Sequence, residues 1–161
     1  MVKVTAAGTK RVSLAGLLAV KPGAENAPRF IHRCIDYHGR KNEKKGFAEE
    51  DYIRLLDAAH QQLGGPIVLV WDNLNTHTSR AMGELIAARL WLTVYRLPAY
   101  APELNPVEAV WSHLKRSLAN LAKRNLCQLA ALIKTRLKRM QYRPALIDGF
   151  LAKTGLDLTP L

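Results

Sequence analysis

Residues 66–72 read PIVLVWD, an apolar run that ends in a single carboxylate. A continuous apolar run of this length predicts a strand that is buried on both faces of a parallel sheet. The segment LTVYRLP at 92–98 predicts a second strand, and a helix near 78–89, capped by Thr78 or Ser79, is expected between them. Strand, helix and strand predict a βαβ unit with parallel strands and therefore an α/β protein.

Other predicted elements flank this unit on both sides. RVSLAGLLAV (11–20) and RFIHRCIDYH (29–38) predict two strands joined by a turn rich in Pro, Gly and Asn. Apolar residues at helical spacing predict a helix over 48–63, and two helices are expected after the second parallel strand, the later one basic and covering 126–142. We expect a single domain over 1–161, long enough to bury a core of its own.

Charge is distributed unevenly along the chain, whose net charge is +11. Residues 1–47 hold ten Lys and Arg against three acids, residues 48–108 hold four against eight, and residues 109–147 hold nine against none. Basic flanks therefore surround an acidic middle. Such flanks favour a polyanion as partner, above all nucleic acid, although a basic surface also serves to keep a protein in solution.

Composition excludes several classes of protein. Hydrophobic residues make up 48% of the chain, which argues against disorder, and no apolar run is long enough to span a membrane. The two cysteines, Cys34 and Cys127, are far apart in sequence and form no metal-ligand motif. A reducing cytoplasm is the compartment that fits best.

Asp72 is the first candidate for a functional residue. It follows the most apolar strand directly, and open α/β sheets bind their ligands at the carboxyl ends of strands. Two interpretations are open at this point. The carboxylate either belongs to such a site or serves the turn DNLNTHT, whose residues readily hydrogen-bond their own backbone.

Glu108 is the second candidate, within YAPELNPVEAVW (100–111). Asn105 suits the N-cap of a helix and Pro106 its first position, so that Glu108 falls third, as in a capping box. A carboxylate held there can also bind a metal ion, and the two roles are compatible. The helix places Trp111 near its apolar stripe, where packing is the expected role. That stripe comprises Val107, Val110, Leu114, Leu118 and Leu121.

The two segments together resemble a known family. VLVWDNLNTH followed by LPAYAPELNPVEAVWSHLK is similar to the catalytic domain of bacterial insertion-sequence transposases of the mariner superfamily. Members of this class carry an Asp-Asp-Glu/Asp active site on a ribonuclease H-like fold. The resemblance includes YHGRKNEKKGF and LKRMQYRP and so covers most of the chain. It implies a mixed sheet with flanking helices.

The resemblance also implies a site and a reaction. Asp72 corresponds to the second acidic residue of the triad and Glu108 to the third, while Asn73, His77 and Asn105 are expected to border the cleft. The reaction is DNA strand cleavage and joining, a phosphoryl transfer in which two Mg²⁺ or Mn²⁺ ions assist. Carboxylates suit these hard cations.

DNA is the implied partner, as transposon ends and as target. Lys115, Arg116, Lys123 and Arg124 are candidates for phosphate contacts, although each alone is equally consistent with a solvated helix face. The complete enzyme is expected to be a homo-oligomer. We expect it in the cytoplasm, associated with the nucleoid, and not in a membrane.

The sequence departs from the family at its beginning. The family's first Asp lies on the first, central strand, and here only Glu25, Asp36 and Glu43 precede residue 48. Two of them fall in loops, and Asp36 lies on the strand that matches the family's third. We therefore expect an N-terminally truncated catalytic domain without its first central strand and without a helix-turn-helix domain. It would be a remnant or the downstream part of a split transposase, inactive unless an upstream fragment supplies the strand.

A second hypothesis belongs to another class. The chain would be a non-catalytic, basic nucleic-acid-binding protein. It would bind DNA with a strong dependence on salt and show no metal-dependent cleavage.

Overall fold

The computed structural model describes residues 1–6, 8–22, 27–119 and 125–156. Within them the chain divides into two units. The hairpin unit comprises residues 1–46 together with 106–161, and the parallel unit comprises residues 47–105. Most of the chain's Lys and Arg residues belong to the hairpin unit, while acids outnumber basic residues in the parallel unit.

Strands and helices are both present, so the predicted α/β class is confirmed. None of the described helices is long and apolar enough to cross a membrane. In chain order the described elements are β1 (Val2–Thr5), β2 (Arg11–Ala19), β3 (Arg29–Tyr37), α1 (Glu49–Leu63), β4 (Ile67–Trp71), α2 (Asn75–Thr78), α3 (Arg80–Ala87), β5 (Leu92–Arg96), a 3₁₀ turn (Pro102–Leu104), α4 (Pro106–Leu118), α5 (Leu126–Gln141) and α6 (Pro144–Ala152).

An antiparallel sheet of order β1-β2-β3 forms the centre of the hairpin unit. The predicted pair of strands is confirmed, with Arg11 opposite Tyr37 and Ala19 opposite Arg29. Strand β1 was not predicted. It pairs with β2 only from Arg11 to Leu14, so it covers the first half of that edge of β2.

Three helices cover this sheet and enclose one apolar core. Trp111 of α4, Ile133 of α5 and Ile147 of α6 are essentially inaccessible to solvent and pack with Leu14 and Phe30 of the sheet. The sequence predicted α4 and α5 but not α6. Pro144 occupies the first position of α6, where its fixed φ suits a helix and its missing N–H costs nothing.

The parallel unit contains the predicted βαβ arrangement. Strands β4 and β5 pair in parallel, with Ile67 opposite Leu92 and Trp71 opposite Arg96. Ser79 caps α3 as predicted, since its hydroxyl accepts a hydrogen bond from the backbone N–H of Met82 at 3.2 Å.

The prediction that β4 is buried on both faces is wrong. Val68 and Val70 are 67% and 55% exposed, and Tyr95 on β5 is 59% exposed. Successive side chains of a strand point to opposite faces, so these three residues mark one open face of the pair. Trp71, on the other face, is buried. The apolar run reflects a sheet that has one covered face and one apolar face in solvent.

Gly16 on β2 gives a test of the packing in the hairpin unit. A Cβ at this position would lie 2.8 Å from Cε2 of Phe30 and 3.1 Å from Cη2 of Trp111. Both rings are buried, so we expect Gly16→Ala to lower the free energy of unfolding by about 1–3 kcal/mol, the usual cost of overpacking. Urea denaturation measures the change.

Gly149→Ala is the matched control. Gly149 lies within α6, and a Cβ added there would meet no neighbouring side chain within 4 Å. Alanine should stabilise this helix by about 0.5–1 kcal/mol. Equal effects of the two substitutions would contradict the packing of β2 against α4.

Candidate active site

The carboxylate of Asp72 is fixed at the end of β4. Its Oδ1 lies 2.8 Å from Nδ1 of His77 and accepts a longer hydrogen bond, 3.3 Å, from the backbone N–H of Leu74. Its side chain is 40% exposed. The contact with Leu74 is the turn chemistry that the sequence left open, and it occupies only Oδ1. Asp72 therefore serves the turn and still presents Oδ2, which bonds to no described residue.

His77 is the buried side chain that holds this carboxylate. It is only 7% exposed, although it lies on a four-residue helix, α2. Its ring stacks on Trp71 at 4.1 Å and 1°, and it meets Tyr52 edge-on at 4.7 Å and 83°. Packing on two sides fixes the orientation of the imidazole. Because the short Nδ1 contact is to a carboxylate, Nδ1 carries the proton and donates it.

The local electrostatics keep Asp72 ionised. The hydrogen bond from His77 lowers the pKa of the Asp72 carboxyl and outweighs the opposing effect of partial burial. Burial raises the pKa of Tyr52 to about 12, so its phenol stays neutral beside the imidazole. The result is a negative charge with one oxygen held and one available to a cation.

Asn73 ties the loop after β4 to the neighbouring strand. Its side-chain amide donates a 2.8 Å hydrogen bond to the backbone oxygen of Leu97, just beyond β5. The residue itself is exposed. This bond fixes the two strand ends relative to each other, and that the residue also borders a cleft stays a prediction.

Glu108 lies at the start of α4, in the hairpin unit. The helix begins at Pro106, so Glu108 is its third residue as predicted. The backbone N–H of Asn105 donates to the oxygen of Pro102 at 3.0 Å, which closes the 3₁₀ turn before the helix. The capping box and the metal-binding role of Glu108 both stay predictions. The packing role predicted for Trp111 is confirmed, because its ring is buried edge-on against Phe30 at 6.0 Å.

Asp72 and Glu108 belong to different units, and their convergence on one crevice remains a prediction. Within the described residues no group of three or more His, Cys, Asp or Glu side chains is placed to hold a metal ion.

The predicted phosphate contacts are described only in part. Lys115 and Arg116 are exposed near the end of α4. Lys123 and Arg124 lie outside the described residues. On α4 the two basic side chains are accessible to a polyanion, and their role in binding DNA stays a prediction.

Sequence reasoning missed how His77 is held. The structure buries its ring between Trp71 and Tyr52, and that His77 borders a cleft stays a prediction. Tyr52 is on α1, distant in sequence from His77, so no local sequence pattern predicts the contact between them. The one available signal was Trp71 beside Asp72, a large ring at the end of a strand.

The chain belongs to the DDE superfamily endonuclease family. The family's model matches residues 30–131, well over half of the chain, and this range includes both Asp72 and Glu108. No curated protein matches the chain significantly in sequence.

Two solved structures have a similar fold. The catalytic domain of Mos1 mariner transposase superposes with a TM-score of 0.51 at 13% sequence identity, covering 91% of this chain and 82% of that one. A structure of the Mos1 transposase catalytic domain with raltegravir and Mn gives a TM-score of 0.51 at 16% identity, covering 91% of this chain and 83% of that one. The expected ribonuclease H-like fold is thereby confirmed.

The Asp72–His77 pair can be tested by two substitutions with opposite expectations. His77→Ala removes a buried ring and leaves Asp72 without its donor. We expect it to lower the free energy of unfolding by about 2–5 kcal/mol. Asp72→Asn keeps an oxygen that accepts from Nδ1–H, and should stay within about 1 kcal/mol of the parent chain.

Thermal unfolding followed by circular dichroism measures both effects. If His77→Ala were as stable as the parent chain, the imidazole would not be the element that fixes the Asp72 carboxylate.

Proposed function

We propose that the chain is part of the catalytic core of a DNA transposase, which cleaves and joins DNA strands by metal-dependent phosphoryl transfer. Membership of the DDE superfamily endonuclease family supports this reaction class. The observation that carries the proposal is the carboxylate of Asp72, ionised, held by a buried imidazole and offering one oxygen to a cation at the end of a parallel strand.

The available oxygens fit a divalent metal of the hard type. Asp72 offers Oδ2, and Glu108 is a half-buried carboxylate in the first turn of α4. Mg²⁺ and Mn²⁺ prefer oxygen ligands of this kind. Bound there, such ions would supply activation of the attacking oxygen and stabilisation of the leaving one.

The protein's own side chains have distinct tasks in this proposal. His77 donates to Oδ1 of Asp72 and so orients Oδ2, as outer-sphere partners of metal ligands do. Asn73 keeps the ends of β4 and β5 in register beside it. Glu108, at the start of a helix, supplies the second carboxylate, and Asn105 precedes it in the turn that leads into that helix.

Two carboxylates hold a pair of ions poorly, so we propose that a third comes from another segment. In the family's pattern this is an Asp on the central strand. The chain alone is then expected to cleave DNA negligibly. A polypeptide that carries the strand and its Asp would complete the site.

Duplex DNA is the proposed substrate. The net charge of +11 is concentrated in the hairpin unit, which includes Lys115 and Arg116, and basic surface attracts the phosphate backbone without reading sequence. A DNA substrate would place the protein with the nucleoid in the cytoplasm. The complete enzyme is proposed to act as a homo-oligomer.

The same basic unit is the observation that favours the second candidate, a non-catalytic DNA-binding protein. Metal-dependent cleavage separates the two candidates, since both bind DNA.

A nicking assay on supercoiled plasmid with Mg²⁺ or Mn²⁺ tests the catalytic proposal. We expect negligible nicking by the chain alone, and nicking when an upstream polypeptide with the strand and its Asp is added. Asp72→Ala should abolish the restored activity, because it removes a metal ligand, while Glu50→Ala, an exposed acid on α1, should not. Strong nicking by the chain alone, lost in Asp72→Ala, would show that the site is already complete. Restored nicking that survives Asp72→Ala would exclude Asp72 as a ligand.

Salt dependence tests the DNA contacts of α4. Each phosphate contact contributes about 0.9 to the slope of log affinity against log salt, so Lys115→Ala with Arg116→Ala should reduce the slope by about 2. The control is Arg54→Ala with Arg80→Ala, which removes two exposed cations that already pair with Glu50 and Glu84. Fluorescence anisotropy of a labelled duplex gives both slopes. An equal loss in the two double variants would mean that only net charge matters.

A further inference from the structure

The segment HGRKNEKKG, residues 38–46, is a second concentration of positive charge in the hairpin unit. We call it the basic loop. It follows β3 directly and holds four cationic side chains, Arg40, Lys41, Lys44 and Lys45, against one carboxylate, Glu43. All four cationic residues are exposed. A loop with this composition would ordinarily be mobile, so its order needs a cause.

Glu43 orders the loop through hydrogen bonds to other residues of the loop. Its Oε2 accepts hydrogen bonds from the backbone N–H groups of His38 at 2.8 Å and Arg40 at 3.0 Å, and its Oε1 lies 2.6 Å from Nδ1 of His38. Partial burial opposes ionisation, but these three contacts outweigh it and lower the pKa of Glu43 to about 2. The carboxylate thus closes the loop on itself, and its charge faces inward.

Two further features hold the loop to the sheet. Gly39 has φ +83° and Asn42 has φ 63°, left-handed values that Gly and Asn tolerate and that make the turn tight. Arg11 of β2 donates from Nη2 to the backbone oxygen of Lys45 at 3.0 Å, and its guanidinium lies over the ring of Tyr37 at 4.7 Å. The loop is therefore anchored at its start by Glu43 and near its end by Arg11.

The side chains that point outward are free to meet an anion. Arg40, Lys41 and Lys45 form no ion pair with any described residue through their side chains. An ordered backbone lowers the entropy lost when such side chains engage a partner. Several exposed cations along one loop match the repeated phosphates of a nucleic-acid backbone better than they match a compact anion.

We propose that the basic loop is a preformed contact for the phosphate backbone of duplex DNA and that Glu43 is its positioning residue. The inference rests on the proposed function, in that DNA is taken as the substrate. It adds a DNA contact that is separate from α4. It also means that the carboxylate of Glu43 favours the binding of a polyanion.

Removal of Glu43 is a test in which loop geometry and simple electrostatics predict opposite changes in the affinity for DNA. Loss of a negative charge alone would strengthen DNA binding. If Glu43 holds the loop in shape, Glu43→Ala should instead weaken affinity for a random-sequence duplex by about 3- to 10-fold, because the loop must be ordered on binding. Glu50→Ala is the matched control, since Glu50 is a 75% exposed acid with a 3.8 Å ion pair to Arg54, and it should leave affinity unchanged or raise it.

Anisotropy titrations of the full chain measure these affinities, with thermal unfolding as a check on each variant. Affinity of Glu43→Ala equal to or higher than that of the parent chain would overturn the proposal.

A footprint on the unaltered chain provides a second measurement that does not depend on any variant folding. Acetylation of lysines, read by mass spectrometry, should slow at Lys41 and Lys45 when duplex DNA is added. Unchanged acetylation at both, while the DNA is bound, would also overturn the proposal. If the chain binds no duplex at low salt, the proposed DNA substrate fails together with the loop. Intact binding without protection of the loop refutes the loop alone.

Discussion

The candidate site depends on one contact, the hydrogen bond from a buried imidazole to Asp72. The 2.8 Å bond from His77 decides which oxygen of the carboxylate is used internally and which remains available. The imidazole can do this because Trp71 and Tyr52 fix its plane. A carboxylate at the end of a strand is thereby made rigid as well as ionised, which a metal ligand requires. Without that contact Asp72 would be an ordinary turn residue.

The loop after β3 contains a similar pair of a histidine and a carboxylate, but here both oxygens of the carboxylate are hydrogen-bonded within the loop. Nδ1 of His38 and Oε1 of Glu43 lie 2.6 Å apart, and the other oxygen of this carboxylate accepts hydrogen bonds from the loop's own backbone. At β4 the histidine is buried and the carboxylate presents an oxygen outward. At β3 the carboxylate points inward and cations are left on the surface. Under the proposed function, the end of β4 would bind a metal ion and the loop after β3 would contact phosphates, the two features that a phosphoryl-transfer enzyme acting on DNA needs.

Much of this was predictable because the relevant signals are local. The Asn-Pro start of α4, the Ser79 cap of α3 and the turn rich in Pro, Gly and Asn between β2 and β3 are each contained in a few residues. The features that the sequence did not predict depend on tertiary contacts. The apolar run of β4 did not reveal that Val68 and Val70 face solvent, since burial depends on what packs above a strand and not on its own residues. The burial of His77 depends on Tyr52, which is distant in sequence, and β1 and α6 are short elements stabilised by the core that they join.

The proposed function requires that Asp72 binds a divalent metal ion through the oxygen that His77 leaves available. Anomalous diffraction from crystals soaked in Mn²⁺ tests it most directly. We predict an anomalous peak about 2.1 Å from an oxygen of Asp72. Mn²⁺ peaks elsewhere on the protein, with none at Asp72, would contradict this prediction.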